Sequence, residues 1–306
     1  MGVLMDRHAA RAHRRVALRR WAGGLGLALT YALIIAVFLA PLAWALGNSF
    51  RRPQDIWRNL VPVSWRTFVP SGVEVTLANY LEALGLTTVG RGFGLDMSQA
   101  LVVSLASSVA VVACSLVFNT CAAYFFARLR FPMKGLLLVL VIATMTIPEQ
   151  AVIVPLFLVV RDLGLINSFW ALVVPWYASP FVVFALTQFF AAVPRELDEA
   201  AIIDGANPLQ VLWHVVIPNA LPGLISVSLL EFQYIWNEFY WPLVAVSRKE
   251  LLPVQVAIAM QFSSRDPQWG RIFASTVIAS APVILLFVVL QRYYFESVAL
   301  SGLKGS

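Results

Sequence analysis

The chain has 306 residues, 60% of them hydrophobic and 12% charged, with a mean hydropathy of +0.79 and a net charge of +6. Soluble domains carry about 25% charged residues, so this composition excludes one of such length and makes lipid the solvent. The positive balance does not call for nucleic acid, because six arginines stand in the first 20 residues, ahead of an apolar run, where they set orientation.

Residues 1–20 lack the grammar of a cleavable signal, since the apolar run behind them exceeds an h-region of about 7–15 residues. They read as a retained cytosolic tail. Residues 21–50 carry no charge and supply the first span, roughly 25–47. Residues 51–97 are mixed and rich in Pro, Gly and Trp, an external loop with a short helix around Leu77–Ala83. Met97–Ala127 is the second span, and the basic turn Arg128–Lys134 after it belongs in the cytosol. Cys114 and Cys121 sit seven apart within that span, about 10 Å on a helix, beyond disulfide reach.

Gly135–Val160 is the third span, with Pro148 and Pro155 expected to kink it. Phe169–Ala192 is the fourth, broken by Pro175 and Pro180. A cytosolic segment, residues 193–218, leads to the fifth span, Asn219–Val244. Residues 247–270 return outside, Arg271–Tyr294 is the sixth span, and residues 295–306 form a cytosolic tail. Six spans behind an arginine-rich start place both termini in the cytoplasm of a multi-pass inner-membrane protein. Residues 98–294 form the core.

No lysine follows a glycine, so no phosphate cradle of the GxxxxGK[ST] kind exists and the chain does not hydrolyse ATP by itself. His8, His13 and His214 are scattered without metal-ligand spacing or a paired nucleophile, so neither metal nor catalytic residues are expected. The costly residues are Glu149, Glu231 and Glu238, because an intramembrane carboxylate normally faces a polar interior. Glu231, Tyr234 and Glu238 fall on one helical face beside Asn237, and with Glu149 and Tyr177 they are candidates to line a solute path. Interhelical hydrogen bonding is the alternative for this stripe. No Lys or Arg lies inside a span, and the aromatic supply suits an uncharged solute with apolar faces, such as a sugar, over a hard anion.

Residues 193–218 hold two helix signals in series. Pro194 precedes Glu196, Asp198 and Glu199, acidic groups that favour a helix N-terminus. Leu197, Ala200 and Ala201 share a face, and Gly205, after Asp204, stops the helix. Asn207 caps a second helix with Pro208 first, and Leu209, Leu212 and Val216 repeat along it as far as Pro218. The result is a rigid docking knob or an amphipathic connector lying on the bilayer.

Glu199-Ala200-Ala201, Gly205, Ile217-Pro218 and Leu221-Pro222 resemble the EAA loop of ABC-importer permeases. The longer stretch ELDEAAIIDGA followed by IPNALP is similar to the carbohydrate-uptake branch of the maltose-importer type. So are Pro148, Pro155-Leu156 and Gly164–Ser168, the segment Trp236–Leu243, and Gln291–Phe295 with Gly302–Gly305. The resemblance covers about Ser98 to Gly305, and Glu149 and Glu231 depart from its pattern. It implies an all-α integral membrane protein with six transmembrane helices in the type I ABC importer permease fold. It further implies that Glu196, Glu199, Ala200, Ala201, Asp204, Gly205, Asn207 and Pro208 form a coupling helix seated in a cytosolic ATPase. The implied partners are two ATP-binding subunits that hold ATP and Mg, a second homologous permease, membrane lipid, and an external solute-binding protein that meets residues 247–270. This chain itself is then no enzyme and binds no cofactor or nucleic acid. Two competitors stand: an ABC permease for an amino acid, peptide or glycerophosphate, and a secondary transporter relaying protons through Glu149, Glu231 and Glu238.

Overall fold

The computed structural model of the chain describes residues 2–58, 62–70, 72, 75–87 and 96–302, with side chains from residue 23 to residue 292 within those ranges. Leu303, Lys304 and Gly305 of the terminal resemblance lie outside the described residues, as do the side chains of Tyr293–Phe295. Residues 1–79 and 80–306 form two compact units.

In the first unit α1 runs unbroken over Gly2–Ser49. The basic stretch, read from the sequence as a separate tail, therefore continues the first span as one helix: its alanines, arginines and leucines favour helix, and no proline precedes Pro41. Beyond it come α2, Pro53–Arg58, and α3, Trp65–Phe68. Buried Arg51 organises this segment by donating to Asn48 Oδ1 at 2.9 Å and to the carbonyls of Thr67 and Arg66. Asn79 Nδ2 donates back to the carbonyls of Ser49 and Arg51 at 2.8 and 2.7 Å. The expected short helix is α4, Ala78–Ala83.

The second unit is built around α5, Met97–Arg128, whose N-cap Asp96 accepts from the Ser98 amide. The third span is two helices, α6 (Lys134–Thr144) and α7 (Glu149–Asp162), bent by 99° at residues 145–148. The break falls at Pro148 alone, and Pro155 is carried inside α7. The fourth is α8 (Phe169–Val173), a 3₁₀ turn over Val174–Trp176, and α9 (Pro180–Ala192), bent by 44° between the two prolines. The segment between the fourth and fifth spans holds α10 (Arg195–Ile203), α11 (Pro208–Val211), a π turn over Leu212–Val216 and α12 (Ile217–Asn219). An 82° bend leads into α13, Leu221–Asn237.

Sequence reading ran the fifth span to Val244, but α13 stops at Asn237 and α14, Tyr240–Ala245, starts afresh. The ring of Pro242 is incompatible with a helical carbonyl at residue 238, four positions earlier. Residues 247–270, expected as a loop, contain α15, Val254–Phe262, whose Val254, Val256 and Ala257 are buried. Finally α16 covers Trp269–Gly302, so most of the expected tail is helical. Counting each bent pair as one, six segments among the described residues are long and apolar enough to cross a bilayer.

Helix α5 packs against α9 and α13, and α13 against α16. Trp236 and Trp241 are buried in the core, with indole donors to the carbonyls of Ala279 (3.2 Å) and Ala171 (2.8 Å). Asn167, at φ 62°, ties the turn after α7 to residues 247–248: its Oδ1 accepts from the Ser247 amide at 2.6 Å and the Arg248 amide at 3.2 Å.

Candidate functional site

Glu231 lies on the α13 face that meets α5. Its Oε1 accepts from Ser115 Oγ at 2.6 Å, and that hydroxyl accepts from Asn119 Nδ2 at 2.5 Å. Asn119 also donates to the Tyr177 carbonyl and accepts from the Ser179 amide, both at 3.2 Å. Those backbone groups belong to the break between α8 and α9, where Pro175 and Pro180 interrupt the helical ladder. Ser115 and Asn119, one turn apart on α5, thus hold the broken fourth span and Glu231 together. Glu231 is 5% exposed, and its Oε2 has no hydrogen-bond partner.

Beside this network a cavity of about 530 Å³ is lined by Thr144, Trp176, Phe181, Glu231 and Tyr234 among others. The rings of Trp176 and Tyr234 meet edge to face at 5.7 Å, and the Tyr234 hydroxyl donates to Glu149 Oε2 at 2.7 Å. Of the expected path residues the cavity brings together Glu231 and Tyr234, with Glu149 one hydrogen bond away. The stripe divides beyond them, because α13 ends first. Glu238 is its C-cap residue, and Glu238 Oε1 accepts from the Trp241 amide at 2.9 Å, starting α14. Asn237 is exposed and bonds back to the Gln233 carbonyl at 2.8 Å. Tyr177 contributes its carbonyl, while its ring stacks on Phe118 at 5.9 Å. Sequence reading missed Ser115 and Asn119; the signal available was a polar pair at i, i+4 inside a charge-free span.

The second candidate region is the segment around α10. Gly205, at φ 88°, sits where a left-handed residue must close the helix: the Gly205 amide bonds to the Ile202 carbonyl at 3.0 Å and the Ala206 amide to the Ala201 carbonyl at 2.9 Å. One residue later Asn207 and Gln210 cap each other's amides reciprocally at 3.0 and 2.8 Å, with Pro208 first in α11. Leu212 and Val216 point into the core, whereas Leu209 does not. The exposed tip is apolar: Ile202, Ile203, Leu209 and Trp213, with Ile203 85% exposed. Glu196, Glu199 and Asp204 are exposed along the same segment, and Ala201 packs against the core while Ala200 stays exposed.

Arg128, the last residue of α5, anchors this segment. Its Nη2 donates to the Val193 carbonyl at 2.9 Å, and its Nε stands 2.9 Å from Asp198 Oδ2, both side chains being largely buried. Burial pushes the Asp198 carboxyl above its usual range; Arg128 and Arg195 oppose that shift and Glu199 adds to it. From sequence Arg128 was one basic residue of a turn, since nothing local shows a carboxylate 70 positions away. Among the described residues no group of three His, Cys, Asp or Glu side chains is placed to hold a metal.

Comparison with known proteins adds the following. Residues 120–299 match the family of binding-protein-dependent transport system inner membrane components. The sulfoquinovosyl glycerol transport system permease protein SmoH of Agrobacterium fabrum is 32% identical, over 87% of this chain and 89% of its own. The diacetylchitobiose uptake system permease protein NgcG of Streptomyces coelicolor is 30% identical, over 89% and 87%. Among solved structures, a bacterial ABC transporter involved in the import of the acidic polysaccharide alginate has a chain that superposes with a TM-score of 0.73. That match is 23% identical and covers 89% of this chain and 96% of that one; it speaks for the fold.

Proposed function

Since the chain belongs to the family of binding-protein-dependent transport system inner membrane components, we propose that it is the permease subunit through which an ATP-driven importer passes a saccharide into the cytoplasm. The family gives inner-membrane transport.

The observation that carries it is the exposed apolar tip of residues 202–213, fixed on a doubly capped, arginine-anchored segment. A hydrophobic knob held this rigidly is built to be pushed by something that fits over it. A cytosolic ATPase subunit closing on ATP, with Mg, would move α10 and, through α11–α12, swing α13 and the wall of the cavity. Two such ATPases need two knobs, hence a second, homologous permease, while an external binding protein would deliver solute near residues 247–270. Both termini would then lie in the cytoplasm. The saccharide is supported by the relatives' names and by a cavity wall of aromatic rings that holds no cation among the described residues.

Co-purification followed by reconstitution tests this. An ATP-hydrolysing subunit should accompany the chain, and vesicles holding the assembly should accumulate sugar only with ATP. Uptake driven by a proton gradient, with no nucleotide-binding partner, would overturn the proposal in favour of a carboxylate relay.

A further inference from the structure

The cavity wall contains a ring whose place is set from outside the wall, and this step rests on the transport function just proposed. We propose that Glu149 is a positioning residue of the solute path: it does not line the cavity itself but holds the Tyr234 ring in the wall, so that a saccharide meets the carbon framework of that ring.

Tyr234 stands on α13 and is 47% exposed, so packing alone does not fix its ring. Two contacts do. The ring meets that of Trp176 edge to face, with centroids 5.7 Å apart, and the hydroxyl donates to Glu149 Oε2 at 2.7 Å. The acceptor is itself well placed. Glu149 opens α7 directly after Pro148, whose φ of −60° belongs to the 99° break in the third span, and a carboxyl in the first turn of a helix is favoured by the free amides there. A ring held at its edge and at its hydroxyl keeps one of the several rotamers that a half-exposed tyrosine could otherwise visit.

The same bond joins parts of the wall that come from different helices. Thr144 and Ile147 at the third-span break, Trp176 and Phe181 at the fourth-span break, and Tyr234 on α13 all line the cavity, whereas Glu149 does not. The hydroxyl ties α13 to the first break, and the Trp176 contact ties it to the second. Losing Glu149 would leave every lining residue in place and free the ring that spans them. Because the hydroxyl is engaged, what Tyr234 offers a solute is its ring, which with Trp176 and Phe181 suits the C–H face of a sugar. The volume of about 530 Å³ lies within the range of small-molecule sites, roughly 300–1,000 Å³.

The test uses the assembled transporter with a labelled panel of neutral, amino and acidic mono- to trisaccharides, read by titration calorimetry and by ATP-driven uptake into vesicles. Glu149→Ala and Tyr234→Phe should each weaken the best-bound sugar by roughly fivefold, the worth of one ordinary hydrogen bond. The double variant should be no weaker than either single one, since both remove the same bond. Glu149→Gln keeps an acceptor for the hydroxyl and offers its amide to the neighbouring Glu238 carboxyl, so it should restore most of the affinity. Independently of any sugar, fluorotyrosine labelling gives a fluorine resonance for Tyr234, identified by its absence from Tyr234→Phe; Glu149→Ala should shift it and Glu149→Gln should leave it near its native position. Additive losses in the double variant, a Glu149→Gln chain as impaired as Glu149→Ala, or a resonance indifferent to Glu149→Ala overturns the assignment. Should Glu149→Ala fail to assemble, Tyr234→Phe against Glu149→Gln decides, the first expected to weaken binding and the second to keep it. No panel sugar bound or carried with ATP overturns the transport function instead and the solute role with it, while the fluorine shift still decides whether Glu149 holds the ring.

Discussion

The cavity wall and the segment around Gly205 both interrupt helices, yet they are stabilised in opposite ways. At the α8–α9 break the interruption is repaired from a distance, by Ser115 and Asn119 of α5. Around Gly205 it is repaired locally, by bonds that span at most five residues. Long-range repair ties α5, the α8–α9 break and α13 to one another. Local repair leaves a rigid shape with an apolar tip. The cavity wall is assembled from several helices, while the segment around Gly205 is complete in itself.

Arg128 is the exception to that contrast, since it fastens the locally made segment to the long helix, and its removal should give the largest effect. Arg128→Met strands a largely buried Asp198 carboxylate, which costs roughly 3 kcal/mol; hydrogen exchange should show Arg195–Ile203 losing protection while α5 keeps its own. Unchanged exchange would mean that the caps suffice alone. Gly205→Val forces a β-branched residue into the left-handed region at about 1–3 kcal/mol. The expected result is normal membrane insertion and ATP hydrolysis with sugar uptake lost, read in vesicles. Nothing lies within 4 Å of a Cβ built there, so the backbone, not crowding, carries the effect. Asn207→Ala removes the reciprocal cap and should cost about 1 kcal/mol, lowering the protection of α11 with little change in uptake.

The smallest effect concerns pH. Asp198 titrates above the ordinary carboxylate range because burial outweighs its arginine partners. The folded segment therefore holds that proton more tightly than an unfolded chain does. The stability so contributed is complete below the ordinary carboxylate range and is lost as pH rises through the raised value. Corrected protection of α10 should fall slightly across that window, and Asp198→Asn should abolish the slope.

The same division explains what was legible in the sequence. Gly205, Asn207 and Pro208 announce a stop and a cap by identity and spacing, and the structure places them so. Charge-free runs marked the spans, and Pro148, Pro175 and Pro180 marked their breaks. The end of α13 was missed because apolar residues continue past it, although Pro242 carried the warning. The partners of Glu231, and the role of Arg128, depend on which helices meet, and no local pattern encodes that. Likewise Ile202 and Ile203 look like ordinary core residues until packing turns them outward.

The π turn at Leu212–Val216 has one further consequence. It holds one residue more than an α-helical turn would, so deleting a single position there need not unfold the stalk. Ordinary helical winding would absorb the loss while spinning the tip by about 100° about its own axis. A length change at this one place would thus re-aim the exposed tip without dismantling the segment that carries it.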